Sequence, residues 1–127
     1  MGNRVHVVKK QCTYGDTEAF NWSAEEFANL LGVLGVAIET VVDYDYSQFE
    51  CDVEEYKKAL RIIRAVYKAN GDEKKIKRIL KRDEIDEYDF KCAVKDTKYT
   101  IKELYEIMND YFQERDKRSG WMQFHSW

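Results

Sequence analysis

The chain has 127 residues, of which 44% are hydrophobic, 14% aromatic and 35% charged, and its formal net charge is −3. This length fits one domain of ordinary size, and the hydrophobic and aromatic content excludes disorder of the whole chain. No apolar run approaches the roughly 18 residues of a membrane span, and Met1 to Lys10 lacks the apolar run of a signal peptide. We therefore expect a single domain over residues 1–127 that has no membrane partner.

The three cysteines, Cys12, Cys51 and Cys92, are an odd number and lie 39 and 41 residues apart. This spacing matches no zinc-binding or disulfide framework, so we expect the thiols to be reduced and to pack as small apolar side chains. Reduced thiols are typical of the cell interior. The sequence therefore predicts a cytoplasmic protein without a metal or another cofactor.

Helix signals occur at four places along the chain. Each begins with a side chain that can cap a helix N-terminus, followed three residues later by Glu or at once by a charged run. The pairs Ser23 with Glu26, Asp52 with Glu55, and Thr100 with Glu103 are capping-box patterns, and Asp72 precedes the charged run. The predicted helices are Ala24 to about Leu34, Val53 to Ala69, Asp72 to about Arg82, and Thr100 to about Lys117.

Strand signals fill the segments between these helices. Val36 to Tyr46 and Tyr88 to Val94 each alternate β-branched or aromatic residues with other residues, the period of two that is typical of strands. Arg4 to Val8 and Trp121 to Trp127 are shorter strand candidates at the two ends. Together the elements predict an α+β fold in which a small, mostly antiparallel sheet of three or four strands packs against about four helices. The pattern does not specify the strand order.

Charge is strongly segregated along the sequence. Residues 11–56 contain 11 acidic residues and no Lys or Arg, although an even distribution of the 21 basic residues would place about eight there. Residues 57–82 reverse this balance, with 11 basic residues against Asp72 and Glu73. The acidic and basic tracts either face solvent separately or pair with each other in the fold, and the sequence leaves both arrangements open.

The acidic tract predicts a surface for a basic protein partner, because charge complementarity speeds association and Tyr supplies rigid contact area. Small acidic proteins that block a toxin or nuclease act in this way. The function that we predict is a non-enzymatic binding module of inhibitor or immunity type. Its candidate partner-binding residues are Glu39, Asp43, Tyr44, Asp45, Tyr46 and Glu50.

The basic tract predicts the alternative function, a nucleic-acid-binding module or a surface for an acidic protein. On the helix over residues 53–69, one stripe of apolar residues (Tyr56, Leu60, Ile63 and Tyr67) lies beside a stripe of cations. The aromatic residues are on the apolar stripe, which does not favour stacking with single-stranded bases. The candidate nucleic-acid-binding residues are Lys57, Arg61, Arg64, Lys68, Lys74, Arg78 and Lys81.

Signals of catalysis or metal binding are weak. Residues 43–54 place oxygen ligands at positions 1, 3, 5 and 12 of a calcium loop, but position 6 is Gln48 where the turn requires Gly. His6 and His125 can approach each other if the terminal strands pair, although a lone His pair is a poor metal motif. Neither a Walker motif nor a dinucleotide-binding fingerprint occurs. We therefore expect no enzyme, no catalytic residues and no metal ligands.

Overall fold

The computed structural model describes residues 4–10, 13–20, 24–42 and 45–127, and the side chains of all these except residues 42 and 45. The described residues form five helices and one antiparallel sheet of five strands, so the fold is α+β with one strand and one helix more than predicted. The elements in chain order are β1 (Val5–Lys10), β2 (Thr13–Tyr14), α1 (Ala24–Val33), β3 (Glu39–Val42), β4 (Asp45–Asp52), α2 (Val53–Lys68), α3 (Glu73–Arg82), α4 (Glu87–Thr97), α5 (Ile101–Glu114) and β5 (Trp121–Ser126).

The strand order is β2-β1-β5-β4-β3, so the first and last long strands of the chain pair in the middle of the sheet. In β1 and β5, His6 lies directly opposite His125, and Val7 lies opposite Phe124. The strand predicted at the C-terminus is therefore confirmed. Five consecutive pairs, from Gln48 with His125 to Asp52 with Trp121, join β4 to β5.

Three of the four predicted helices begin at their predicted caps. The side chain of Asp52 accepts a hydrogen bond from the backbone N–H of Glu55, and Asp72 caps α3 in the same manner. Thr100 and Glu103 form a reciprocal capping box at the start of α5. Helix α1 also starts at the predicted residue, although its predicted cap, Ser23, lies outside the described residues.

The strand predicted over residues 88–94 is wrong, because this segment lies in helix α4. Asp86 caps the helix by accepting a hydrogen bond from the N–H of Asp89. Phe90, Ala93 and Thr97 are buried at helical spacing, whereas Tyr88 is 75% exposed. The alternation of apolar and charged residues was therefore compatible with one face of a helix, and the cap decided the structure.

The single strand predicted over residues 36–46 is also wrong. The described residues form two strands, β3 and β4, which pair as a hairpin with an irregular register between Thr40 and Val42. Strand β4 continues to Asp52, where α2 begins at once, so residues 45–52 cannot curl into a calcium loop. In α2, Tyr56, Leu60 and Ile63 are buried as predicted, but Tyr67 at the end of the stripe is 37% exposed.

The hydrophobic core lies between the helices and one face of the sheet. Strand residues that point toward the helices, such as Val5, Phe49, Cys51 and Phe124, are at most 2% exposed, and their neighbours along the strands alternate to the opposite face. We call that opposite face the open face. Its residues include His6, Gln123, His125 and Glu50, which share it through the strand register.

Candidate functional site

Half of the predicted acidic surface lies where the structure describes side chains. Asp43 and Tyr44 are outside the described residues, and Asp45 is described only as part of the backbone of β4. Glu39 is exposed, while Tyr46 and Glu50 are partly buried. We call the surface formed by the strands β3 and β4 the acidic hairpin, and its described geometry rests on these three residues.

Two glutamates of the acidic hairpin are direct cross-strand neighbours. Glu39 of β3 is the direct cross-strand partner of Glu50 of β4, so both side chains are on the open face. Glu50 accepts a hydrogen bond of 3.2 Å from Nε2 of Gln123 on β5. Neither carboxylate forms an ion pair with a described cation. Favourable cross-strand pairs contribute about 0.2–1 kcal/mol each, and like charges directly opposite each other destabilise a strand pair by a similar amount.

Tyr46 lines a different feature, a cavity of about 660 Å³ between the hairpin, one side of α1 along its length, and the start of α4. Apolar residues that include Ala28, Val36 and Ile38 form part of its wall. Among the described residues, the wall contains four carboxylates and no Lys or Arg, and we call this feature the acidic cavity. Its carboxylates belong to Glu25, Glu84, Asp86 and Asp89.

Sequence reasoning missed three of those four carboxylates, because they lie in or just before the segment taken for a strand. Asp86 and Asp89 occupy the N-terminus of α4, where the helix dipole favours negative charge. The signal that would have found them is the cap itself, Asp86 followed three residues later by Asp89. With α4 recognised, its N-terminus becomes a second acidic end beside that of α1.

The predicted cations of the basic tract are exposed on α2 and α3. Lys57, Arg61, Arg64 and Lys68 form one exposed row along α2, as the helical spacing requires. The candidates on α3, Lys74, Arg78 and Lys81, are exposed as well. The structure brings Lys68 and Arg78 to one groove, whereas it places the other five candidates outside that groove.

This groove, which we call the basic groove, lies between α2 and α3 and has a volume of about 620 Å³. The helices are joined by the short turn of residues 69–72, in which Asn70 and Gly71 have positive φ angles of 48° and 81°. Gly71 adopts this conformation without the steric cost that a Cβ atom would add. Small and apolar residues, Ala65, Ala69 and Ile79, share the lining with four cations: Lys68, Lys75, Arg78 and Arg82.

The two charged tracts do not neutralise each other in the part of the chain that the structure describes. Of the 11 cations in residues 57–82, only Arg82 forms an ion pair there, at 3.9 Å with the adjacent Asp83. The remaining described ion pairs join Lys91 to Glu73 and to Glu87, and Arg118 to Asp116. No described ion pair links the basic tract to residues 13–56, so the segregation along the sequence persists in the fold.

A cluster of rings occupies the open face where β1 and β5 pair. The ring of Trp127 stacks on that of His6 at a centroid distance of 4.0 Å, and the hydroxyl of Tyr14 lies 2.8 Å from Nδ1 of His125. Burial lowers the pKa of both histidines, and the Glu18 carboxylate opposes this effect at His6. The two rings are therefore neutral at pH 7.

The cysteines with described side chains have packing roles. Burial, together with the nearby carboxylates of Glu55, Asp52 and Glu50, raises the pKa of the Cys51 thiol to about 12. Such a thiol stays protonated and is a poor nucleophile. Cys92 is partly buried on α4. Within the described residues, no three His, Cys, Asp or Glu side chains are placed to hold a metal ion.

Comparisons of the chain with protein-family models, with curated proteins and with solved structures found no match. In the described part of the chain, none of the helices combines the length and the apolar character needed to cross a bilayer.

Proposed function

We propose that this protein is a non-enzymatic binding module that presents its acidic hairpin to a basic protein partner, in the manner of an inhibitor or immunity protein. The observation that carries the proposal is the direct opposition of Glu39 and Glu50 on the open face, where neither forms an ion pair with a described cation. This arrangement costs stability, and residues that break a local rule of stability are typical of functional sites. A cation from a partner, placed between the two carboxylates, converts the repulsion into attraction.

The acidic cavity supports the same proposal from the other side of the edge strand. Ile38 lines the cavity, and Glu39, the next residue, lies on the open face, so carboxylates flank β3 on both sides. A concave site with apolar walls and carboxylates fits the long aliphatic stem and charged end of Lys or Arg. Tyr46 contributes a ring to its wall. A basic partner can therefore place one cation on the hairpin and another in the cavity.

The mechanism that we propose is steric and electrostatic occlusion. The acidic tract attracts the basic partner, which raises the association rate, and the docked module then covers the partner's functional surface. Free thiols, one buried and one partly buried among the described residues, suit a reducing compartment. We accordingly propose the cytoplasm as the location.

The experiment compares three immobilised baits in a lysate of the source cell: the wild type, the double variant Glu39→Lys with Glu50→Lys, and the control Glu106→Lys. Glu106 is exposed on α5, away from the hairpin, and receives the same change of charge. Quantitative mass spectrometry should show one basic protein that the wild type and the control retain, and that the double variant loses at least tenfold. The association rate of the purified pair should fall by a similar factor.

The stability of the variants separates lost binding from lost folding. The double variant replaces one like-charge pair with another, so we expect its free energy of unfolding to stay within about 1 kcal/mol of the wild-type value. Urea denaturation measures this change. Equal capture by all three baits, or capture of acidic proteins alone, would contradict the proposal.

Nucleic-acid binding by the basic helices is the second candidate, and the exposed, unneutralised row of cations on α2 favours it. A titration with a fluorescent random-sequence 20-nucleotide strand and its duplex tests this candidate. A steep fall of log affinity with log salt concentration would indicate several phosphate contacts. Absence of binding at 50 mM salt would remove the candidate.

A further inference from the structure

The lining of the basic groove contains both apolar residues and cations. Ala65, Ala69 and Ile79 make part of its lining apolar, while cations from both helices lie around them. Lys68, Lys75 and Arg78 form no ion pair with any described residue, so their charges are available to a ligand. Its volume of about 620 Å³ is within the range of about 300–1,000 Å³ that ligand sites occupy.

A phosphate backbone uses such a groove poorly. Phosphates are recognised by cations and polar groups, and bases of single strands by aromatic rings, yet the described residues that line the groove include no aromatic ring. Covering Ile79 and the two alanines with a solvated phosphate chain would leave apolar surface unused. The lining instead suits a ligand that is apolar on one side and anionic at its borders.

An amphipathic helix of acidic composition has this form. Its apolar anchors, at positions i, i+3 or i+4, and i+7, lie along one stripe, and carboxylates on either side of the stripe face away from it by about one quarter turn. The anchors would enter between α2 and α3, and the carboxylates would reach the cations on both sides. The spacing of Lys75, Arg78 and Arg82 along one side of α3 places three cations within two turns.

We propose that the basic groove docks an acidic amphipathic helix of a partner protein. This interface is independent of the acidic hairpin, because the two share no residue and have opposite charge. A module with both interfaces can hold a basic protein and an acidic helix at the same time. Failure of either proposal leaves the other unaffected.

The test begins with a library of randomised 16-residue peptides displayed on phage and selected on the immobilised full chain. The enriched peptides should carry a net negative charge and apolar residues at i, i+3 or i+4, and i+7. The best peptide is then made with a fluorescent label, and its affinity is measured by fluorescence anisotropy. A second peptide, with its apolar anchors changed to Ser at unchanged charge, should bind at least tenfold more weakly.

Two variants of matched chemistry locate the binding site. Lys75→Glu removes a cation from the groove, whereas Lys77→Glu makes the same change on the same helix at an exposed position outside the lining. We expect Lys75→Glu to weaken the peptide at least fivefold and Lys77→Glu to weaken it less than twofold. Ala65→Phe fills the groove without a change of charge and should weaken binding at least tenfold. Circular dichroism melting confirms that each variant is folded.

Several outcomes would overturn the proposal. A library without enriched peptides, or enriched peptides that are indifferent to Lys75→Glu and Ala65→Phe, would remove the site. Equal losses in Lys75→Glu and Lys77→Glu would show attraction to the whole basic tract rather than to the groove. Tighter binding of a random 16-nucleotide strand than of the best peptide would assign the groove to nucleic acid. Direct binding of an anionic detergent that Ala65→Phe abolishes, in the absence of peptide enrichment, would replace the helix with a small amphiphile as the ligand.

Discussion

Along β5, the side chains of Met122 and Phe124 are at most 1% exposed against the helices, whereas Trp121, one residue away on the same strand, is 44% exposed. Successive side chains of β5 therefore point alternately to the face that packs against the helices, which we call the covered face, and to the open face. On the covered face, Phe27, Phe49 and Tyr111 surround Phe124 with ring centroids 5.0–5.3 Å away. On the open face, the ring of Trp127 stacks on His6 and is itself 54% exposed, whereas His6 beneath it is 8% exposed.

The residues that stabilise the fold and the residues that carry titratable or hydrogen-bonding groups therefore lie on different faces of the sheet. Burial of apolar area is the main stabilising contribution, and it is concentrated on the covered face. The open face carries titratable and hydrogen-bonding groups that include His125, Gln123 and the carboxylates of the acidic hairpin. Changes on the open face should therefore alter binding or protonation with little effect on folding.

The largest effect should come from matched truncations of the two faces. Phe124→Ala removes a fully buried ring from the aromatic cluster, and we expect a loss of about 3–5 kcal/mol in the free energy of unfolding. Trp127→Ala removes a half-exposed ring and its stacking on His6, at a cost below about 1.5 kcal/mol. Urea denaturation followed by circular dichroism measures both values. Equal losses would show that the open face also supports the fold.

A smaller effect on the free energy of unfolding should arise at Gly15, which follows the edge strand β2 and lies against Glu114 of α5. A Cβ atom at this position would overlap Oε2 of Glu114 and lie 2.8 Å from its Cβ, and a rotation of the end of the Glu114 side chain cannot relieve the second contact. We expect Gly15→Ala to destabilise the fold by about 1–3 kcal/mol. Gly32→Ala is the control, because nothing lies within 4 Å of its Cβ position. A neutral Gly15→Ala would show that β2 is not held against α5.

Removal of two tyrosine hydroxyls, one on each face of the sheet, compares the stability that a hydrogen bond contributes on the two faces. Tyr111 is fully buried and donates a hydrogen bond of 2.8 Å to the carbonyl of Val5, so Tyr111→Phe should cost about 1 kcal/mol. Tyr14→Phe breaks the contact with His125 on the open face, where water can replace the hydroxyl, and should cost less than about 0.5 kcal/mol. Thermal and urea denaturation of the two variants give the difference. A larger loss for Tyr14→Phe would reverse the proposed roles of the faces.

The elements predicted correctly are those whose capping residues and apolar pattern both favour the structure that packing in the fold requires. Helices α2, α3 and α5 have both a cap and an apolar stripe, and β5 has the apolar residues Met122 and Phe124 at alternate positions. Helix α4 was missed because the apolar residues from Tyr88 to Val94 fit a period of two, and the competing cap at Asp86 was overlooked. The hairpin was missed because Asp43 and Tyr44 give no Gly or Pro signal for a turn.

The sequence predicts only those features of the candidate sites that depend on residues within one helix or strand. Exposure of the cations on α2 follows from helical spacing alone, and the structure agrees. The basic groove joins α2 to α3, and the opposition of Glu39 and Glu50 depends on hairpin register, which a pattern of charges does not specify. Pairing of His6 with His125 was foreseen only on the condition that the terminal strands are neighbours, which the sheet order supplies.

The smallest expected effect is the pH dependence of the histidine pair on the open face. Burial lowers the pKa of His6 and His125 in the folded protein, whereas both return to their ordinary value near 6.5 on unfolding. Below pH 6.5 the unfolded chain therefore binds more protons, and the free energy of unfolding falls as pH decreases toward the folded pKa values. Above pH 7.5 both states carry neutral rings, and the histidine contribution is constant.

Urea denaturation between pH 7.5 and 5.5 measures this slope while Asp and Glu remain mostly ionised in the unfolded chain. The double variant His6→Gln with His125→Gln should be nearly flat over the same range. A slope that persists in that variant would place the titrating groups elsewhere. If the wild type is flat, the rings are as accessible to protons in the folded protein as in the unfolded chain, and the open face is more hydrated than the stacking on Trp127 indicates.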